Sequence, residues 1–231
     1  MGKDKKDMLC LLFVPLAIFV AVWAGKIPVT EFYQGAKFGV HIQYHASFFL
    51  MFFARVLYTF GDFEQYFQGY GVIAVVRHRK RERLFYHSMR TLIQKTVIFH
   101  LFVLVCAIVI SILIFPYIDL SDGTMWRGVV LYVSCDFFMA LLQMLVEIRW
   151  DGRVGICVAG VYDMLSILIS DVLWVRPYGK GILWMFLPNL GVKSRVEACG
   201  YSSEFIFLAL LSAAVLAVLA GRYIVKRKDV L

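Results

Sequence analysis

Charge is scarce in this chain. Of its 231 residues only 17% are charged, against 61% hydrophobic, and the mean hydropathy is +0.75. Soluble domains carry about 25% charged and roughly 45–50% apolar residues. So little charge cannot coat a compact chain with polar surface, which excludes a soluble globular protein. A disordered chain, a collagen and a disulfide-built miniature are excluded with it. Cysteine is equally thin. Four of the five (Cys10, Cys106, Cys135, Cys157) fall in apolar runs and Cys199 has no evident mate, so free buried thiols are expected. Catalytic signatures are missing as well. There is no Gly-x-Ser-x-Gly turn, no His-Glu-x-x-His, no Cys-x-x-Cys and no Gly-x-x-x-x-Gly-Lys-[Ser/Thr] loop. Those patterns place a nucleophile, a metal, a redox pair or a nucleotide phosphate, and their absence argues against the common enzymes of each kind. No cofactor or metal is expected on this chain. The histidines do not gather, since His41 and His45 share a helical face while His87 and His100 belong toward the other side of the membrane.

Long apolar runs are what the chain has in abundance. A bilayer core of ~30 Å takes about 20 apolar residues per helix. Six stretches meet or approach that length: 8–25, 46–60, 96–115, 128–146, 156–175 and 205–224. They are continuous and do not alternate, so helices are expected and a barrel is not. The second is the shortest and carries Arg55; it could begin nearer Phe38. The first, behind the basic start Lys3, Lys5 and Lys6, also has the layout of a signal peptide, though its apolar run exceeds the ~7–15 residues of a signal core. With the N-terminus in the cytoplasm, sixteen Lys and Arg fall on the inner side and seven on the outer. The positive-inside rule therefore places both termini in the cytoplasm. It also accounts for the net charge of +8 without a nucleic-acid partner.

The connections are unequal. Residues 61–95 form a long inner one. Its first part, with Asp62, Glu64, Tyr66 and Tyr70, reads as an amphipathic helix with an acidic start. The basic run Arg77, Arg79, Lys80, Arg81 and Arg83 follows, with apolar residues near helical spacing that suit the headgroup level. Residues 176–204 form a long outer connection. Trp184 and Phe186 lie there among Pro177, Pro188 and several glycines, an apolar patch too short to span. A re-entrant or interfacial segment rimming an exit is expected.

Arg55, Asp136, Asp163 and Asp171 lie inside apolar stretches, where a central charge costs about 2.5–3.5 kcal/mol on insertion scales. Arg55 and Asp163 fall at similar depth and are expected to pair. Asp136 has no evident mate and is expected to face a cavity. Asp171 is expected at the outer interface, and Glu147 with Arg149 at an exposed span end.

Six spans with both ends inside, a basic inner connection after the second and a Pro- and aromatic-containing outer segment before the sixth resemble the type-2 permeases of ABC transporters. The nearest likeness is to small permeases of bacterial peptide export or lantibiotic immunity. The run Tyr70-Gly71-Val72-Ile73-Ala74-Val75-Val76-Arg77-His78-Arg79-Lys80-Arg81 is similar to the one that leads into their third span. The resemblance implies a single six-span permease domain over 1–231 in a bacterial cell membrane. It makes residues 62–76 a coupling helix docked on a separate ATPase, with Asp62, Glu64, Tyr66, Tyr70, Arg77 and Arg79 at the contact. Trp184, Phe186 and Pro188 would rim the exit. ATP and Mg would belong to the partner ATPase, a second permease would complete the path, and a hydrophobic or peptide cargo would be exported. Only seven residues precede the first span, a departure from larger members, which carry an amphipathic helix there. Two alternatives stay open: a substrate-capture subunit for vitamin uptake, and an intramembrane enzyme built on Asp136 or Asp163.

Overall fold

The computed structural model describes residues 3–24, 29–35, 37–38, 42–63, 81–115, 123–174 and 181–227. All regular structure among them is helical. Helix α1 (Lys3–Phe19) contains Pro15 and runs on through a π-helical turn, Val20–Ala24. A single turn, α2 (Val29–Phe32), precedes α3 (Ile42–Thr59). Three long helices follow: α4 (Arg81–Ile114), α5 (Gly123–Arg149) and α6 (Gly152–Trp174). A compact passage of α7 (Ile182–Met185), a 3-10 turn (Leu187–Gly191) and α8 (Lys193–Ala198) leads into α9 (Ser203–Arg227).

Four of these are long and apolar enough to cross a bilayer, namely α4, α5, α6 and α9, and the protein is a membrane protein on that ground. The apolar parts of the first two helices, Cys10–Trp23 and His45–Thr59, are shorter. At ~1.5 Å per residue His45–Thr59 covers about 21 Å, less than the ~30 Å hydrocarbon core. The six expected stretches therefore appear as four full-length helices and two short ones.

Helix α5 is the hub. Half of its most apolar window is buried, against 28% for α4, α6 and α9, and it packs on α9, α6, α4, α8 and the 3-10 turn. One core joins Phe85, Leu131, Met139, Leu141, Met144, Leu190 and Ile206; a second joins Val14, Ile18, Met51, Phe99 and Val103 from α1, α3 and α4. Large apolar side chains also face outward, Leu113 at 79% exposure and Val172 at 71%. Lipid tails are as apolar as the interior, so such faces need no polar cover. What draws the helices together instead is close packing at small residues and polar contacts. The buried face of α6 is Gly152, Gly155, Ala159, Asp163, Ser166, Ile167 and Ser170. On α9, a Cβ at Gly221 would fall 2.5 Å from Leu145 and 2.8 Å from Phe85, so α9 crosses α4 and α5 at that glycine.

Three helix starts differ from the sequence reading. Residues 81–95 are not a separate element but the first turns of α4, which holds neither Gly nor Pro from Arg81 to Ile114 and so has nothing to end it. Helices α5 and α6 also start earlier than expected, at Gly123 and Gly152, which leaves a tight turn at Trp150 and Asp151. At one end of the bundle Lys95 meets Asp7 and Glu82 meets Arg222 and Lys226. At the other, His45 meets Asp171 and Arg127 meets Glu204. The start of α1 and the end of α9 accordingly share one end.

Candidate functional site

A buried polar network occupies the bundle centre. Asp136 lies midway along α5 and Asp163 midway along α6, while Arg55 comes in from the last turn of α3. Arg55 is 1% exposed. Its Nε donates to Asp136 Oδ1 at 2.9 Å and its Nη1 to Gln143 Oε1 at 2.8 Å. Its Nη2 stands 3.7 Å from Asp163 Oδ2, and its guanidinium lies 4.3 Å from the Phe52 ring centroid. From α4, His100 Nε2 donates to the other Asp136 oxygen at 2.9 Å. Gln143 extends the chain of contacts, its Nε2 donating to Glu147 Oε1 at 2.9 Å and to the Val56 carbonyl at 3.3 Å. One guanidinium thus ties α3 to α5 and α6, which its planar fork of donors suits it to do, and α4 joins the network through His100 on Asp136. Asp163 stands apart. It is 1% exposed, yet neither of its oxygens accepts a hydrogen bond. A cavity of about 20 Å³ adjoins it, lined also by Asp136, Cys135, Pro188 and Gly191. That is room for one water, which takes about 10–15 Å³.

The passage from Leu187 to Ala198 folds into the bundle against this cavity. Pro188, Asn189, Leu190 and Gly191 are buried. Tyr162 of α6 clamps the turn, donating to the Met185 carbonyl and accepting from the Leu187 N–H. Cys135 donates to the Leu187 carbonyl, and Asn189 Nδ2 to Ser170 Oγ at 2.7 Å. Irregular backbone is tolerated at membrane depth where protein surrounds it, as here. Arg195 on α8, 0% exposed, anchors the segment through Asp171 Oδ1 at 2.7 Å and Asn189 Oδ1 at 2.8 Å, with the Phe38 ring centroid 4.5 Å away. Burial pulls the Arg195 guanidinium down to about 10, against Asp171, which holds it up. It therefore stays charged at neutral pH. His45 Nε2 binds the other Asp171 oxygen at 2.5 Å, so α3, α6 and α8 meet on one carboxylate.

A family model described as "Protein of unknown function (DUF2705)" matches residues 8–231. The chain belongs to the DUF2705 family. No curated protein and no solved structure matches it.

Within this DUF2705 chain the expected site residues separate. Arg55, Asp136 and Asp163 come together: the expected ion pair of Arg55 with Asp163 is present at 3.7 Å without a hydrogen bond, and Asp136, expected to face a cavity, lines it and in addition takes the hydrogen bond from Arg55. Helix α6 begins at Gly152, one turn before the expected start, so Asp163 stands at mid-helix; depth located the Arg55–Asp163 pair but not the closer tie to Asp136. Glu147, expected at an exposed end, is 1% exposed. Asp62 is also buried, and its carboxylate faces Lys95 inside the bundle; Lys95 further donates to the Tyr58 carbonyl at 2.7 Å. A carboxylate held inward this way is not offered to a cytosolic partner. Glu64, Tyr66, Tyr70, Arg77 and Arg79 lie outside the described residues. Pro188 lines the central cavity, Phe186 is half-buried, and Trp184, 40% exposed, packs its ring edge-on against Tyr201 and Phe205. The exit-rim group is therefore split between centre and surface. Gln143, His100 and Arg195 were missed. A signal existed for one of them: Asp136, Gln143 and Glu147 stand seven and four apart, a polar stripe on one face of an apolar helix.

Proposed function

We propose that the protein is the membrane-spanning permease subunit of an ABC transporter, powered by ATP hydrolysed on a separate subunit, and that it exports a hydrophobic or peptide cargo. One observation supports this above others. Helix α4 runs unbroken from the basic stretch at Arg81 to His100, which holds Asp136 at the bundle centre. A push on the preceding residues 64–80 would travel along a stiff rod into the polar network. At its base the rod is braced on α9 through Glu82 with Arg222 and Lys226, and about four turns further along on Asp62 through Lys95. An ATPase gripping residues 64–80 would therefore have a lever into the core. In this reading both termini and that lever are cytoplasmic, the membrane is a bacterial cell membrane, and the outward apolar faces meet lipid and a second permease.

Co-purification tests it. A tagged chain expressed with the ATPase subunit of a neighbouring gene is expected to retain that subunit. Joint replacement of Glu64, Tyr70 and Arg77 by Ala is expected to release it, with the chain still inserted. Retention by the triple variant overturns the docking assignment, and no retention by the intact chain overturns the transporter reading.

A further inference from the structure

We propose that Asp163 and the small cavity it faces form a binding site for one monovalent cation, a proton or Na⁺, at the middle of the bundle. The reasoning is one of charge and of contacts. Arg55 is the permanent cation beside two buried carboxylates. Its Nε is hydrogen-bonded to Asp136, its Nη1 to Gln143, and its remaining Nη2 is 3.7 Å from Asp163, too far for a hydrogen bond. Both Asp163 oxygens and Arg55 Nη2 are buried without a hydrogen-bond partner. Asp163 thus shares one guanidinium with Asp136 through a long ion pair that carries no hydrogen bond, and a buried carboxylate is costly unless it is hydrogen-bonded and fully paired or neutralised. The groups around Asp163 are Arg55 from α3, Asp136 and Cys135 from α5, and Tyr162 and Ser166 beside it on α6. The buried turn Leu187–Gly191 brings no charge. His100 reaches the site only through Asp136, and its Nδ1 is buried without a partner.

A water in the cavity would satisfy hydrogen bonds but would not supply the missing positive charge. A proton on Asp163 does so directly; a bare Na⁺ does so with the Asp136 and Asp163 carboxylates at one wall and the Pro188–Gly191 turn at another. The site rests on this geometry and does not depend on the ATPase reading.

Two measurements on the purified full chain in lipid discs decide it. The first is the infrared carbonyl band of a protonated carboxylic acid, expected in the wild type, absent in Asp163→Asn and displaced in Asp163→Glu. The second is thermal stability against NaCl at constant ionic strength held with choline chloride. A ligand that binds only the native state raises the midpoint as its concentration grows. An acid band assigned to Asp163 identifies the proton. A rise in midpoint of the wild type with Na⁺, flat in Asp163→Asn, identifies the metal ion. A wild type with neither overturns the proposal without recourse to any variant, and so does an acid band that survives both Asp163 substitutions together with a midpoint that Na⁺ does not move. Loss of ATPase binding in the co-purification above would leave both readouts unmoved, so the two readings fail separately.

Discussion

Arg55 sits one turn from the end of a short helix and still commands the interior, because its guanidinium reaches from α3 to both α5 and α6. Its side chain is nearly inaccessible and its contacts to Asp136 and Gln143 are of good hydrogen-bond length. Removing one member of a buried, hydrogen-bonded charge pair costs about 3–5 kcal/mol, mostly through the charge left behind. Arg55→Ala is therefore expected to lower stability by that amount in reversible unfolding from mixed micelles. A double-mutant cycle sharpens the assignment. Arg55 with Asp136 should show a coupling toward the upper part of the roughly 0.5–3 kcal/mol found for contacting residues. Arg55 with Asp163 should show clearly less, because their contact lacks a hydrogen bond. Equal couplings, or rescue on reversing both Arg55 and Asp163, would return Asp163 to the role of primary partner.

At the scale of elements, the passage from Ile182 to Ala198 depends on side chains because its turns are too short to hold themselves. Its polar groups find partners on α5 and α6, and Arg195 is its principal tie through Asp171. Asp171→Asn keeps the shape of the carboxylate but withdraws its charge from Arg195 and His45. A loss of about 3–5 kcal/mol is expected for the anchoring of the segment, and the turn at Leu187–Gly191 should loosen from α5. Cys135 reports on this, since it is buried at 4% exposure beneath the Leu187 carbonyl. In a background lacking the other four cysteines, a membrane-permeant maleimide should label Cys135 faster in Asp171→Asn than in the parent. Equal rates would show that Arg195 and Asp171 do not hold the turn down. Helix α4 makes the opposite case: with neither Gly nor Pro from Arg81 to Ile114 its backbone bonds run uninterrupted, and its side-chain ties position it without having to hold its shape.

For the whole molecule, the ion pairs sort the chain onto two ends. Asp7, Lys95, Glu82 and Arg222 mark one, and His45, Asp171, Arg127 and Glu204 the other. Single cysteines introduced at Asp151 and Lys226 should react with an impermeant maleimide only in inverted vesicles. Those at Arg127 and Glu204 should react in intact cells. Reaction of Asp151 and Glu204 positions from the same side would break the alternation and with it the proposed orientation.

The sequence by itself determined that this is a helical membrane protein, because long unalternating apolar runs with so little charge have no other way to satisfy their backbone. It also pointed to Arg55, Asp136 and Asp163 as the charges that matter and to the Pro-containing segment near Pro188 as unfit to span. Tertiary structure alone decided who pairs with whom. A charge in an apolar run states that it needs a partner but not which, and depth estimates shift by a turn whenever a helix starts earlier than its apolar run. Arg195 and Lys95 lie outside the apolar runs and carry no sequence mark of burial; the packing of the 182–198 passage against Asp171 and of α4 against Asp62 makes them buried ties. Pairing is a property of how helices rotate and cross, and that is set by where Gly155, Gly221 and the small face of α6 allow backbones to approach.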